Sequence, residues 1–421
     1  MKNENGWELR KLDELGFVGR GKSRHRPRNE PSLYGGSYPF IQTAEVRASD
    51  LYIKNYTQTY SEIGLAQSKM WEPNTLCIIN AGENTGESAI LDFKACFPDS
   101  IIAFIPDQKK ADVRFIKYYL DYIKPQIRSI TKGATQDNLS VSNLLSFDIP
   151  TPCISTQRKI AEILSSYDAL IENNNARIET LANIGRVLYD RWFIHFQDTE
   201  KTNGNKLKSS AGISNSWKKM SIMAIPFFRF IKENARKFEG EKRYFATADI
   251  EGMHYVGDGI SYGYENKPSR AQKRPTKNSV WFARMQNTYK VISFSDTNRH
   301  LAEQSILSSG FAGFEAVDER FLGFLYFTIN SKKFHTVKDK FCTGATQMSL
   351  TNEGLSRIEI PSPDERAVIE FGEIANHIID MILILQLKNQ NLPFLKGLFQ
   401  VLFQTNLSLQ QMFQILFLFS Y

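Results

Sequence analysis

Cysteine, histidine and paired prolines are scarce in this chain, and each scarcity removes a class of chemistry. The four cysteines, Cys77, Cys96, Cys153 and Cys342, form no C-x-x-C pair, which excludes the usual zinc spacing and a disulfide framework. Six histidines stand without partners at ligand spacing, so no metal site is predicted. There is no Pro-Pro, and therefore no N-P-P-[YF] or D-P-P-[YF] tetrapeptide of the amino-methyltransferases. No G-x-G-x-x-G follows a strand-like run, and no Ser/His/Asp or Cys/His set has a legible spacing. Residues 16–23 satisfy G-x-x-x-x-G-K-[ST]. A phosphate cradle needs a buried strand before it and a helix after it. Here a charged WELRKLDEL precedes, and Pro27 and Pro31 forbid the helix. Pro98-Asp99 with Asp107-x-Lys109 has a nuclease-like composition but reads as a turn after a strand. The expectation is a chain with no catalytic site and no cofactor of its own.

Long apolar runs are scarce too. MKNENGWELRK has no apolar segment of the signal-peptide kind. The closing MFQILFLFSY is apolar but short of the about 20 residues a membrane span needs. A cytoplasmic, reduced protein is expected, with that tail docked on the protein itself or closing an oligomer contact.

What is present is a repetition. GATQ at residues 133–136 returns at residues 344–347, a shift of 344 − 133 = 211 in a chain of 421 residues. Apolar positions follow each copy (Leu139 and Leu144; Leu350 and Leu355), then an Ile-Pro step (Ile149-Pro150; Ile360-Pro361) and a second proline (Pro152; Pro363). Each copy begins with a tryptophan beside lysine, Trp7 and Trp217, 217 − 7 = 210 apart. Solenoid repeats run about 20–50 residues, so this period means two copies of a whole domain. Between the tryptophan and a strand-like run (NTLCII at 74–79, NSVWFA at 278–283) the copies no longer resemble each other. Each unit reads as α+β, closed by a long helix.

The first long helix shows apolar positions at Ile160, Leu164, Tyr167, Ile171, Ile178, Leu181, Leu188 and Trp192, the four-three spacing of a coiled-coil seam. Asn174 and Gly185 fill the gaps in that seam. Asn174 either sets register or is simply exposed. The second helix repeats the seam from Phe371, Ala375, Ile378, Ile382 and Leu385 to Leu392, Leu395, Phe399 and Leu402. Residues 155–193 form a rod of roughly 58 Å at about 1.5 Å per residue, distinct from a domain core. Pro393 is expected to kink or end the second helix. The domain limits are 1–152, a helix over 153–197, a polar linker over 198–216, a second domain over 217–363, a helix over 364–405 and the apolar tail 406–421.

Charge points to the partner. A net +7, with 52 Lys+Arg against 45 Asp+Glu, favours a polyanion. Arg20, Lys22, Arg24, Arg26 and Arg28 recur at every second residue in a loop that could follow a phosphate backbone or reach guanine edges. Tyr34, Gln42 and Thr43 follow among glycines, and amide and hydroxyl groups suit base edges. In the second copy the basic cluster is Lys267, Arg270, Lys273, Arg274 and Lys277, preceded by Thr247 and Asp249. The GATQ segments add Thr135, Gln136, Thr346 and Gln347, as turns first and DNA contacts second.

This layout resembles the specificity (S) subunit of type I restriction-modification systems. The resemblance rests on W-x-x-x-x-L, GATQ-x-x-L-S with Ile-Pro-x-Pro, STQRKIAEIL, LYDRWF and LKGLFQVLF, in that order over residues 1–405. It implies two target-recognition domains, each reading one half of a bipartite double-stranded DNA site. The two helices would form an antiparallel coiled coil serving as a ruler. Two modification (methyltransferase) subunits would clasp those helices and supply S-adenosylmethionine chemistry. Restriction subunits would add ATP-driven translocation and cleavage, leaving this chain non-catalytic. The competing readings are a coiled-coil scaffold that binds DNA without sequence preference, and an ATPase using residues 16–23.

Overall fold

The structure is a computed structural model. It describes residues 7–131, 138–194, 217–257, 259–345 and 347–400, the side chains of 131 and 393–400 apart. The chain divides into two units, residues 1–171 with the end of the second long helix from Leu392, and residues 172–391.

In the first unit the strands are β1 (Glu8–Arg10), β2 (Gly16–Arg20), β3 (Tyr34–Phe40), β4 (Tyr52–Ile53), β5 (Gln58–Tyr60), β6 (Met70–Trp71), β7 (Leu76–Ile79), β8 (Ser88–Leu91), β9 (Ala95–Cys96), β10 (Ile101–Pro106) and β11 (Ile149–Thr151). They make a β1-β11 pair, a sheet ordered β2-β10-β7-β8-β4 and a sheet ordered β5-β3-β9-β6. In the second unit they are β12 (Lys218–Ser221), β13 (Phe228–Phe230), β14 (Glu241–Phe245), β15 (Ile250–Glu251), β16 (His254–Tyr255), β17 (Ile260–Gly263), β18 (Ala271–Lys273), β19 (Ser279–Ala283), β20 (Val291–Phe294), β21 (Ser305–Ser308), β22 (Phe311–Ala316), β23 (Cys342–Thr343), β24 (Ser349–Leu350) and β25 (Glu359–Ser362). Their main sheets run β13-β22-β19-β20 and β17-β14-β21-β18, beside the pair β12-β25.

The sequence repeat is a repeat of hydrogen-bond register. The strand after each tryptophan pairs with the strand holding each Ile-Pro step: Glu8 faces Thr151 and Leu9 faces Pro150, as Lys218 faces Ser362 and Lys219 faces Pro361. The short helix before each return strand starts on a hydroxyl cap, Ser140 Oγ accepting the Asn143 N–H at 3.0 Å and Thr351 Oγ1 accepting the Gly354 N–H at 3.0 Å. Its apolar positions, Leu144 and Leu355, are buried. The NTLCII and NSVWFA runs are the buried strands β7 and β19. Each follows an asparagine in the left-handed region, Asn74 at φ 65° and Asn278 at φ 58°, a conformation asparagine tolerates better than most residues.

The region where the two sequences lose resemblance keeps its topology. In each unit the second sheet takes its strands in the order second-first-fourth-third, with the first and fourth parallel. Unequal connections hide this. The offset is 101 to 311 = 210 at the start of β10 and β22, but 88 to 291 = 203 at β8 and β20.

The long helices are less separate from the globular parts than expected. The first runs from Ile154 to Tyr189 and continues as a π-type turn, Asp190–Ile194. Ile160, Ala161 and Leu164 belong to the first unit's core. Ile178, Ala182, Tyr189 and Phe193 belong to the second's. The expected bare rod is therefore corrected: its apolar seam buries in domain core at both ends as well as against the partner helix. Phe193 lies 4.8 Å from the Phe324 ring centroid and 5.1 Å from that of Phe371. Gly185, one of the two gaps, is where the helix lies flush on an aromatic ring. A Cβ there would come 2.0 Å from Phe327 Cζ.

Asn174, the other gap, is 1% exposed. Its Nδ2 donates to Asn389 Oδ1 at 2.8 Å, and Asn389 Nδ2 donates to Asn175 Oδ1 at 2.7 Å. With Asn174 opposite Asn389 and Trp192 opposite Phe371, the helices run antiparallel within the second unit. The second helix extends from Glu365 to Gln400, so Pro393 does not end it. Proline removes one ladder bond, here to the Asn389 carbonyl, and one bond is too little to stop a helix whose Leu392 is packed. Leu402 and the tail lie outside the described residues. No helix of the described residues is long and apolar enough to cross a membrane.

Candidate nucleic-acid interface

In the first unit the basic loop leaves β2 and is clamped rather than extended. The Gly21 N–H donates to Ile101 O at 2.9 Å and the Lys22 N–H to Phe97 O at 3.0 Å. Gln67 Oε1 accepts the N–H groups of Arg24 and His25 at 2.6 and 3.0 Å, and Ser68 Oγ donates to Lys22 O at 2.7 Å. Arg26 Nη1 donates back to the carbonyls of Ser23 and His25, both at 2.8 Å. Arg28 pairs with Asp99 at 2.6 Å. Tyr34 Oη donates to Arg28 O at 2.7 Å, while its ring packs near Phe40 and Tyr60. The guanidinium groups of Arg26 and Arg28 therefore shape the loop, and Arg20 and Arg24 stand exposed with Lys22 half-buried.

Gln42 and Thr43 come to the same place from the other side. The Ile41 N–H donates to Cys96 O at 2.8 Å, one residue from the Phe97 carbonyl that holds Lys22. Gln42 Nε2 donates to Gln58 Oε1 at 2.8 Å. The sheet thus brings together two groups that lie far apart in sequence.

In the second unit Thr247 opens a short turn, Thr247–Asp249, at the end of β14. Its carbonyl accepts from Lys290 Nζ at 2.7 Å. Arg270 and Arg274 flank β18 and are exposed. Lys273 Nζ donates to Asn234 Oδ1 at 2.9 Å, and burial followed by the Arg284 charge lowers its pKa. Lys277 is neutralised by Asp296 at 2.5 Å and Glu319 at 3.6 Å, and Lys267 donates to Ala271 O at 2.9 Å. Of the five cations in this cluster, Arg270 and Arg274 are the two exposed ones. Arg274 also borders an open cleft of about 880 Å³ with Lys232 and Arg299 on its walls.

The GATQ segments are anchored at their exits. Asn138 bridges to Ala81 and Ser349 to Met285. The Leu139 N–H donates to Asn80 O at 2.7 Å and the Leu350 N–H to Arg284 O at 2.9 Å. Gln347 is exposed, its Nε2 3.6 Å from Met285 Sδ. Thr135, Gln136 and Thr346 lie outside the described residues.

Residues 16–23 form strand β2 and the start of the clamped loop, with no helix after them. Asp107 accepts the Lys109 N–H at 3.1 Å, a turn after β10. Among the described residues no group of three or more His, Cys, Asp or Glu side chains could hold a metal ion. Sequence reasoning missed Lys69 and Glu45, and it named Asp249 beside Thr247 without pairing the two segments. The signal was there, since Thr-Ala-acid occurs at 43–45 and 247–249, but at an offset of 247 − 43 = 204 instead of 211.

The sequence profile of the type I restriction modification DNA specificity domain matches residues 4–183. The chain is 27% identical over 196 residues to the type I restriction enzyme MjaIX specificity subunit of Methanocaldococcus jannaschii, which covers 45% of this chain and 44% of that protein. It is 27% identical over 146 residues to the MjaVIII specificity subunit of the same organism, covering 35% and 32%. The chain thus matches less than half the length of these relatives. The crystal structure of a type I restriction-modification S subunit from M. genitalium superposes with a TM-score of 0.54 at 16% identity, over 97% of this chain and 98% of that one. The type I restriction modification DNA specificity domain is thus what residues 4–183 are similar to, and the whole chain has the fold of that S subunit.

Proposed function

We propose that the chain is the DNA-recognition subunit of a type I restriction-modification complex. Residues 1–152 and 217–363 act as target-recognition domains, each reading one half of a bipartite double-stranded site. The helices over 153–197 and 364–405 are the docking surface for two modification subunits, and 198–216 links the copies. Restriction subunits join that assembly. The chain itself carries no catalytic group or cofactor and works in the cytoplasm.

The observation that supports this reading is the contrast inside the repeat. Frame strands keep one register in both units, while the cations at the end of the second sheet come from different segments, 20–28 in one and 270–274 in the other. Phosphate contacts position a protein on DNA and base contacts specify, so two unlike surfaces on one frame suit two unlike half-sites. Arg20, Lys22, Arg24, Gln42 and Thr43 would serve the first, with Arg26, Arg28 and Tyr34 shaping its loop. Thr247, Arg270, Lys273 and Arg274 would serve the second. Thr135, Gln136, Thr346 and Gln347 would contact the DNA from the GATQ segments. A scaffold with no sequence preference needs no such difference.

The test is an exchange of residues 1–150 for another domain of this kind, followed by mapping of methylated sites in cells. One half of the site should change and the other stay. Two altered halves, or a site that is not bipartite, would reject the reading.

A further inference from the structure

The second sheets share a construction that the sequences conceal. In the first unit the parallel pair β3/β9 ends with Phe40 beside Cys96. In the second, β14/β21 ends with Phe245 beside Leu307. Immediately beyond comes threonine-alanine-acid, Thr43-Ala44-Glu45 and Thr247-Ala248-Asp249. From Ile41 to Val46, and again from Phe245 to Ile250, burial runs in one pattern. The ends are buried, the alanine is exposed and the rest are half-buried. Each acid turns back on the residue before its threonine: Glu45 Oε2 accepts the Gln42 N–H at 3.0 Å, and Asp249 Oδ2 accepts the Ala246 N–H at 2.7 Å. That closes a tight turn and fixes the threonine at the carboxyl end of a parallel strand pair, where ligand sites of open sheets collect.

The opposite flank repeats as well. Strands β6 and β18 run antiparallel to β9 and β21 and begin at that same end. A cation precedes each, Lys69 before Met70 and Arg270 before Ala271, and both are exposed. Lys69 Nζ is held 3.8 Å above the Trp71 ring. The Arg270 carbonyl accepts the Ser309 N–H at 2.7 Å. In the second unit the two flanks meet over Gly310. A Cβ added to Gly310 would lie 2.9 Å from Thr247 Cγ2 and 3.4 Å from Arg270 Nη2. A glycine there, itself buried, lets the Thr247 and Arg270 side chains close over the main chain side by side.

We propose that these two flanks form one DNA-reading element in each unit, Thr43 with Lys69 and Thr247 with Arg270, and that Glu45 and Asp249 are its positioning residues. The inference rests on the DNA-recognition reading above. A hydroxyl and a cation at fixed separation offer a donor-acceptor pair for one base edge and its neighbour, and the acid sets where the hydroxyl stands. Lys69 becomes the first unit's counterpart of Arg270.

The test uses the full chain co-expressed with its modification subunits, with methylated sites mapped across the host genome. Lys69→Gln alters an exposed side chain and should lower methylation of the native site about tenfold or more, with base preference relaxed in one half only. Arg270→Gln should do the same to the other half. Glu45→Gln and Asp249→Asn should each affect the half served by their own unit, and Glu45→Asp should restore function where Glu45→Gln does not. Native methylation by Lys69→Gln at the unaltered rate would overturn the proposal. So would equal loss at both halves with no change in base preference, or acid variants whose only effect is a lower melting temperature. A successful exchange of residues 1–150 alongside a silent Lys69→Gln would reject this element and leave the functional reading standing. A failed exchange would remove both.

Discussion

The two units differ least where they pack and most where they face solvent. Their outer strand pairs share one register, and their second sheets share one strand order. Apart from Lys69 and Arg270, the cations sit on unlike segments. In the first unit a segment between β2 and β3 is clamped by Gln67 and Asp99. In the second the cations ride on and beside β18. Buried strands are constrained by register, since a one-residue slip turns every side chain to the wrong face. Exposed loops at the sheet's end carry no such constraint, so they can diverge without cost to the frame. The exposed loops can vary here while the architecture stays fixed.

The hardest way to break that contrast is to strike the frame. Phe193 is buried among Tyr189, Phe324 and Phe371. Phe193→Ala should cost about 3–5 kcal/mol, read by chemical denaturation of the second unit's transition. A loss under about 1 kcal/mol would mean that the first long helix is not part of that core.

A second difference concerns pH. His335 is 8% exposed and neither ring nitrogen has a hydrogen-bond partner among the described residues. Burial first, and the Lys338 charge second, push its pKa down to about 4 from 6.5. The unfolded chain takes up a proton near pH 6.5 that the folded chain refuses. Stability of the second unit should therefore fall between pH 6.5 and about 4, by about 3 kcal/mol in all. His335→Leu should flatten that slope in melting scans across the range, and an unchanged slope would assign the pH dependence elsewhere.

The smallest effect lies in the helix pair. Asn174→Ala leaves the half-buried Asn389 Oδ1 without its donor and should cost about 1 kcal/mol. Asn174→Leu with Asn389→Leu should recover most of that loss, because only the half-buried Asn175 Oδ1, which water can reach, then loses a donor. Failure of the double variant to recover would show that the asparagines fix helix register as well as satisfy each other.

Much of this frame was legible in the sequence. The runs at 74–79 and 278–283 named strands correctly and the seam residues Ile178 and Ile382 a helix face, while the tryptophans and Ile-Pro steps marked the frame as repeat signals only. The second sheet was not legible. Strand β9 is two residues long, and its parallel partner β3 lies across two other strands of that sheet in sequence, so no periodicity announces the pairing. The Thr-Ala-acid turns escaped because unequal connections moved their offset to 204. Nor could a seam say which core would receive it: Leu188 and Trp192 read as coiled-coil positions, and with their neighbours Tyr189 and Phe193 they pack into a domain core. At the site, Arg26 and Arg28 looked equivalent to Arg20 and Arg24. Only the carbonyls of Ser23 and His25 and the Asp99 carboxylate separate them.

The central claim is that each unit reads its own half-site. Reciprocal chimaeras, one exchanging residues 1–150 and one exchanging residues 217–363, would be co-expressed with modification subunits and their methylated sites mapped. The account expects each chimaera to change a different half of the bipartite site and keep the other. If both chimaeras changed the same half, or either changed both, the account would be contradicted.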